Sequence, residues 1–191
     1  MQFQIHTKET APEASRATLE AIAKKYGFLP NLFGVLAESP TAVQAYAAIN
    51  NTLEHSALSP VEQQVVTLTV SATNDCAYCM GAHSAVAQMV RMPEDVLAAL
   101  REQRPLSDHK LNALRALVLS VLHHRGWVPE ADLEHVVAAG YTQRHVLDVL
   151  TILALKTLSN YVNHIADTPL DPQFASQAWS AKEGCPSCLS T

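Results

Sequence analysis

Residues 58–83, LSPVEQQVVTLTVSATNDCAYCMGAH, join a helix-start device, a β-branched apolar run and two closely spaced cysteines. Ser59-Pro60-Val61-Glu62 has the form of a capping box. The serine side chain accepts from the backbone three residues on, the glutamate reaches back, and proline presets the first helical φ. Val65, Val66, Leu68 and Val70 follow. Their β-branched character would also suit a strand, but the run is continuous with the capped start and has no alternating partner nearby, which predicts a buried helix. Asn74-Asp75 then interrupts the pattern and supplies the predicted N-cap of a second helix from Cys76 to about Val90.

Outward from this segment the chain reads as helix after helix. Thr10, Pro12 and Glu13 predict a capped helix through Leu19, Ile22, Ala23 and Tyr26, closed by Gly27. Ser39-Pro40 opens another, to about Glu54. Beyond the cysteines, Pro93 starts a short helix, Ser107-Asp108 caps one ending at Gly126, Glu130 begins one ending at Gly140, and Thr142 caps a long one to about Asp167. The expectation is an all-α fold of about eight or nine helices. The run Val146–Leu155 is apolar nearly all round, as in a central helix or one held in a subunit interface, so a homo-oligomer is expected. Gln64-Val65-Val66-Thr67 with Cys76-x-x-Cys79 is echoed 84 residues later by Asp148-Val149-Leu150-Thr151 with Asn160-x-x-Asn163, a sign of internal duplication. A single domain is expected over residues 1–170, with its cysteine-bearing core at about 40–100. Residues 171–191 are expected to form an extended tail rich in Pro, Ser and Gln.

Composition narrows the function classes. The 191 residues are 48% hydrophobic and 16% charged, with 13 basic against 18 acidic side chains and a net charge of -5. Such a chain buries a core of its own, and without a basic run it does not suit phosphate-backbone binding. No segment approaches the ~18 apolar residues of a membrane span, and Gln2, Gln4, His6 and Lys8 occupy the place of a signal peptide's apolar stretch, so a cytoplasmic protein is expected.

The four cysteines form two Cys-x-x-Cys pairs, Cys76/Cys79 and Cys185/Cys188, which is unlike a secreted disulfide scaffold. In a reducing compartment this spacing points to redox or metal chemistry. On a helix turning about 100° per residue, Cys76, Cys79 and His83 fall at about 0°, 300° and 340°, within one arc. Thiols at a helix N-terminus are favoured as thiolates, and His83, one turn after Cys79, is placed to take a thiol proton or to stabilise the thiolate as imidazolium. Cys76 is placed to close a disulfide with Cys79. Zinc held by all four cysteines is the rival chemistry, but a pair inside a helix combined with a tail pair makes a poor zinc knuckle, and no metal is expected. His123-His124 point to different faces, and no His-Glu-x-x-His occurs.

The same segment resembles the alkylhydroperoxidase D (AhpD)-like, or carboxymuconolactone decarboxylase, superfamily in its peroxidase-related branch. The resemblance rests on Leu58-Ser59-Pro60-x-Glu62, on Ser71-Ala72-x-Asn74-x-Cys76 and on Cys76-x-x-Cys79-x-x-x-His83. It extends to Tyr26-Gly27-Phe28-Leu29-Pro30-Asn31, Ser39-Pro40, Asn160-Tyr161-x-Asn163-His164 and Thr168-Pro169-Leu170-Asp171, covering about residues 21–179. It implies an AhpD-like helical fold, assembly into dimers, trimers or hexamers, and reduction of hydroperoxides by a redox-active disulfide. Cys79 would be the peroxidatic cysteine, Cys76 the resolving one and His83 part of the proton relay. No cofactor is implied beyond an external thioredoxin-like or lipoyl-type dithiol reductant. Tyr78 lies within the motif as a supporting residue.

One position departs from the pattern. The family's relay includes a glutamate twelve residues before the first cysteine, and here that residue is Gln64, which cannot accept a proton. Glu62 points roughly 200° away from it on a helix and cannot replace it by extension. Gln64 is left either as a hydrogen-bond partner that orients His83 or as the cause of weak turnover. Two other functions compete with a peroxidase: a non-catalytic redox sensor or scaffold, and a decarboxylase- or lactone-processing enzyme of the wider superfamily, whose members generally lack the cysteine pair. The tail pair Cys185/Cys188 is a candidate dithiol for reopening the Cys76–Cys79 disulfide.

Overall fold

The computed structural model describes residues 1–180; Cys185 and Cys188, and the tail dithiol assigned to them, lie outside the described residues. Nine α-helices follow one another, and no strand forms among the described residues: α1 (Glu13–Tyr26), α2 (Asn31–Leu36), α3 (Pro40–Thr52), α4 (Pro60–Thr73), α5 (Ala77–Met89), α6 (Glu94–Arg101), α7 (His109–His123), α8 (Glu130–Ala138) and α9 (Gln143–Ala166). The all-α expectation holds among the described residues.

Helix α4 is the axis of the molecule and packs against α5, α7 and α9. Its capping box forms as read: Ser59 Oγ accepts from Glu62 N at 3.3 Å and Glu62 Oε2 accepts from Ser59 N at 2.8 Å. Val65, Val66, Leu68 and Val70 are fully buried. The hydroxyls that share this dry helix are satisfied within it, Thr69 donating to Val65 O at 2.7 Å and Ser71 to Thr67 O at 2.8 Å. Back-bonding of this kind lets a helix rich in Thr, Ser and Val be buried all round without orphaned polar groups.

Three local readings differ from the structure. Pro12, not Thr10, is the N-cap of α1, because the Thr10 hydroxyl is taken by Thr7 N at 2.9 Å in the preceding turn. Asn74 closes α4 and Asp75 takes the left-handed region at φ 53, so the chain turns sharply and Cys76 itself becomes the N-cap of α5. The short α2 is absent from the expected helices: Pro30 precedes it as Pro93 precedes α6, but its six residues are buried nearly all round and show no helical period.

The helical body also reaches beyond residue 170. Asp171 is 3% exposed, a 3-10 turn spans Pro172–Gln177, and Trp179 Nε1 donates to Arg101 O at 2.9 Å. Gly81 makes room for this segment, since a Cβ there would stand 2.9 Å from a Leu170 methyl.

Two apolar clusters result. One joins α4, α6 and α7 with part of α9, and the other joins α1, α2 and α3. Cys76 and Cys79 belong to the second, at its seam with the first. No described helix is long and apolar enough to cross a membrane.

Candidate active site

The turn at Asp75 places Cys76 at the N-cap of α5 and Cys79 three residues into it, where unpaired backbone N–H groups favour a thiolate. Both are free thiols, and both are buried. From α9, Asn163 Nδ2 donates to Cys79 Sγ at 3.3 Å and lies 4.0 Å from Cys76 Sγ, while Ser159 Oγ stands 3.8 Å from Cys79 Sγ.

These neighbours make the two thiols unequal. Burial alone would raise the Cys79 pKa, but a hydrogen bond from Cys76, the positive charge of Lys156 and the bond to Ser159 outweigh it and hold Cys79 well below the usual thiol range. That same hydrogen bond, with burial, pushes Cys76 far up. The two shifts run in opposite directions, favouring the thiolate at Cys79 and the protonated thiol at Cys76.

His83 makes its hydrogen bonds to neither thiol. Its Nδ1 lies 3.0 Å from Gln64 Oε1 and its Nε2 lies 3.0 Å from Lys156 Nζ. An ammonium only donates, so Nε2 accepts, and the ring proton sits on Nδ1 facing the Gln64 carbonyl oxygen. Burial and the neighbouring Lys156 charge both depress the His83 pKa well below its ordinary value, so the ring is neutral. Gln64 thus stands in hydrogen-bond contact with His83, and the surroundings of the ring disfavour an imidazolium.

Lys156, which the sequence reading did not single out, is 1% exposed on the inner face of α9. Its signal was present: it shares a helical face with Ile152, Ser159, Asn160 and Asn163, all buried, at the three- and four-residue spacing of one stripe. Asn160 Oδ1 accepts from Asn74 Nδ2 at 2.9 Å, so the two echoed segments meet at this site. They are not the same supersecondary unit, since the first breaks at residues 74–76 and the second is one continuous helix.

Glu62 and Tyr78 have other work. Burial opposes ionisation of Glu62, but the Ser59 backbone and hydroxyl, the Tyr141 hydroxyl at 3.0 Å and Lys110 at 3.2 Å hold its carboxyl below the usual range. It ties α4 to α7 and to the start of α9, away from the thiols. Tyr78 donates to Asp171 Oδ2 at 2.5 Å and accepts from Leu32 N at 3.3 Å, bracing α5 against α2 and the C-terminal segment.

Two cavities meet the site. One, of about 320 Å³, is lined by Cys79 and by Tyr26, Phe28, Phe33, Tyr46 and Phe174, with His83 and Lys156 at its wall. The other, about 560 Å³ and more polar, is lined by Gln64, Glu62, Thr67 and Lys110 and shares His83 and Lys156 with the first. Cys76 lines neither. Among the described residues no group of three or more His, Cys, Asp or Glu side chains is arranged to hold a metal ion.

Residues 40–118 match the carboxymuconolactone decarboxylase family, which bears out the superfamily resemblance of residues 58–83. No curated protein matches the chain in sequence. Among solved structures, an uncharacterized peroxidase-related protein with an alkylhydroperoxidase AhpD core from Ralstonia eutropha JMP134 is 24% identical, with a TM-score of 0.80 over 91% of this chain and 93% of that one. An uncharacterized peroxidase-related protein from Silicibacter sp. TM1040 is 20% identical, with a TM-score of 0.75 over 93% and 94% of the two chains. The debrominase Bmp8, in complex with 2,3,4-tribromopyrrole, is 15% identical, with a TM-score of 0.74 over 93% and 95%. At these identities the likeness is one of fold.

Proposed function

Because residues 40–118 carry the pattern of the carboxymuconolactone decarboxylase family, we propose that the protein is a thiol-dependent hydroperoxide reductase of AhpD-like fold, with Cys79 attacking and Cys76 resolving. One observation carries the reading: of the two thiols, it is the acidic Cys79 that lines a cavity, while its protonated neighbour Cys76 stays sealed behind it. A nucleophile needs access and a thiolate; a resolving thiol needs only the nucleophile within reach.

The steps follow from that asymmetry. The Cys79 thiolate attacks the distal oxygen of the hydroperoxide, the S–O bond forms as the O–O bond breaks, and the departing alkoxide takes a proton to leave as an alcohol. Cys79 is then a sulfenic acid. Cys76 attacks it, a disulfide forms, and water leaves with the Cys76 proton. An external dithiol, thioredoxin-like or lipoyl-type, restores both thiols by exchange. The aromatic lining of the cavity favours a hydroperoxide with an apolar body over hydrogen peroxide. A cytoplasmic setting, reducing by nature, keeps such a pair in its dithiol form.

The test is turnover. With a dithiol donor in excess, the protein is expected to consume many equivalents of cumene hydroperoxide, faster than hydrogen peroxide. Oxidation that stops after one equivalent per dithiol overturns the reading and leaves a redox sensor.

Self-association belongs to the same proposal. Leu147, Leu150, Tyr161 and Ile165 are exposed along one stripe of α9, opposite the face that carries Lys156 and Asn163. An apolar stripe of this length on a surface helix supports contact with a second copy. Replacing Leu150 and Ile165 together by glutamate is expected to lower the mass measured by light scattering to that of the monomer; a wild-type protein that is already monomeric removes the idea.

A further inference from the structure

We propose that the buried Lys156 ammonium is the counter-ion of the Cys79 thiolate and the donor of the proton that the leaving oxygen takes when the O–O bond breaks. The second half of the assignment rests on the peroxidase reading; the first stands without it.

A lysine that is 1% exposed cannot stay charged without a partner, because an isolated buried ammonium loses its hydration with nothing in return. Among the described residues Lys156 forms no ion pair with a carboxylate. From α4 it is approached by the uncharged Gln64–His83 pair, His83 itself being on α5 and accepting from Nζ at 3.0 Å. From α3 it meets Tyr46, whose phenol burial holds protonated. From α5 it meets the two thiols, and Cys76 is the protonated one. The acid left to carry the negative charge is Cys79. Burial would strip the proton from Lys156, yet the Cys79 charge and the hydrogen bond to it keep Lys156 above its ordinary range.

The position of Gln64 now acquires a reason. A carboxylate there, next to His83, would draw the imidazole toward its charged form and place two cations side by side at 3.0 Å. Glutamine holds the ring neutral with its proton on Nδ1, which leaves Nε2 free to accept from the lysine. The pair Gln64–His83 thus aims Lys156 and does not relay protons itself.

Proton movement follows without further parts. The ammonium lines the cavity that holds Cys79, so it stands at the developing alkoxide. When Cys79 takes the hydroxyl oxygen of the hydroperoxide, the alkoxide receives a proton from Lys156. The result is an alcohol, a neutral sulfenic acid and a neutral amine. Loss of the thiolate removes the charge that held the lysine protonated, so nucleophilic attack and proton release are coupled. Lys156 also lines the polar cavity on the other side, through which the amine recovers a proton from solvent.

The experiment reads the thiol and not the peroxide. Iodoacetamide alkylation of Cys79, followed by mass spectrometry across pH, reports its ionisation. In the wild type the midpoint is expected well below that of a free cysteine. Removing the cation disfavours the thiolate, so Lys156→Met is expected to move the midpoint upward by at least about one unit, a rate loss near ten-fold at a pH below both midpoints, as loss of a nearby opposite charge does. Lys156→Arg is expected to keep the wild-type midpoint. An unchanged midpoint in folded Lys156→Met overturns the assignment.

Wild-type protein gives the reciprocal measurement, which holds even where a variant does not fold. By linkage, one lysine Nζ followed by 15N NMR is expected to titrate at lower pH once the dithiol is oxidised to the disulfide. Lysine titrations identical in the two states overturn the ion pair. Inertness toward hydroperoxides together with a low, Lys156-dependent midpoint removes the peroxidase reading and leaves the ion pair standing.

Discussion

Replacing Cys79 by serine is expected to abolish hydroperoxide turnover, a loss of about 10³-fold or more, as removal of a sole nucleophile gives. A serine hydroxyl at this place stays protonated and has no comparable reactivity toward the O–O bond. Cys76→Ser is expected to lose turnover as well, but by a different route. Its hydroxyl still donates toward Cys79, so the thiolate survives and the first oxidation proceeds. The sulfenic acid then has no resolving thiol at its side. Dimedone is expected to trap one adduct, on Cys79, in Cys76→Ser and none at residue 79 in Cys79→Ser. A dimedone adduct on Cys76 in the Cys79→Ser protein would reverse the two roles.

The second large effect is structural. Asp171 sits 3% exposed with Oδ1 accepting from Asn31 N at 3.0 Å and Oδ2 accepting from Tyr78 at 2.5 Å. It joins the first residue of α2, the first turn of α5 and the C-terminal segment at one point. Asp171→Ala leaves a partly buried backbone N–H and a buried phenol without acceptors, two charge-assisted bonds worth roughly 1.5–3 kcal/mol each. A loss of about 3 kcal/mol is expected, which for a chain of this size lowers Tm by roughly 6–12 °C. Asp171→Asn keeps one good acceptor and is expected to lose about half as much. Because Tyr78 and Phe174 line the cavity at Cys79, the alanine variant is also expected to lose selectivity for apolar hydroperoxides. A Tm equal to wild type in Asp171→Ala would show that this junction does not hold the segment.

The same junction marks how far local patterns reach. Asp171 falls in a Pro- and Gln-containing stretch with no helical period, so by composition it belongs to a tail; its burial depends on Asn31 and Tyr78, which are 140 and 93 residues away in the chain. Thr10 illustrates the limit at short range. Its spacing to Glu13 is that of a cap, but Thr7 N competes for the hydroxyl and wins.

Sequence alone determined the helical fold, because each main helix from α3 onward except α5 begins at a legible cap or proline; α4 is the strongest case, its Ser59–Glu62 box forming as written. It also determined that Cys76, Cys79 and His83 share the start of one helix, since helical spacing is a local property. Tertiary structure decided the rest of the site. Lys156 comes from α9, 77 residues after Cys79, and only the packing of α9 against α4 and α5 puts its ammonium among thiols and against His83. Ionisation is set by burial and by charges brought together across helices, so which cysteine is acidic, and that His83 is neutral, could be read only once the chain was folded.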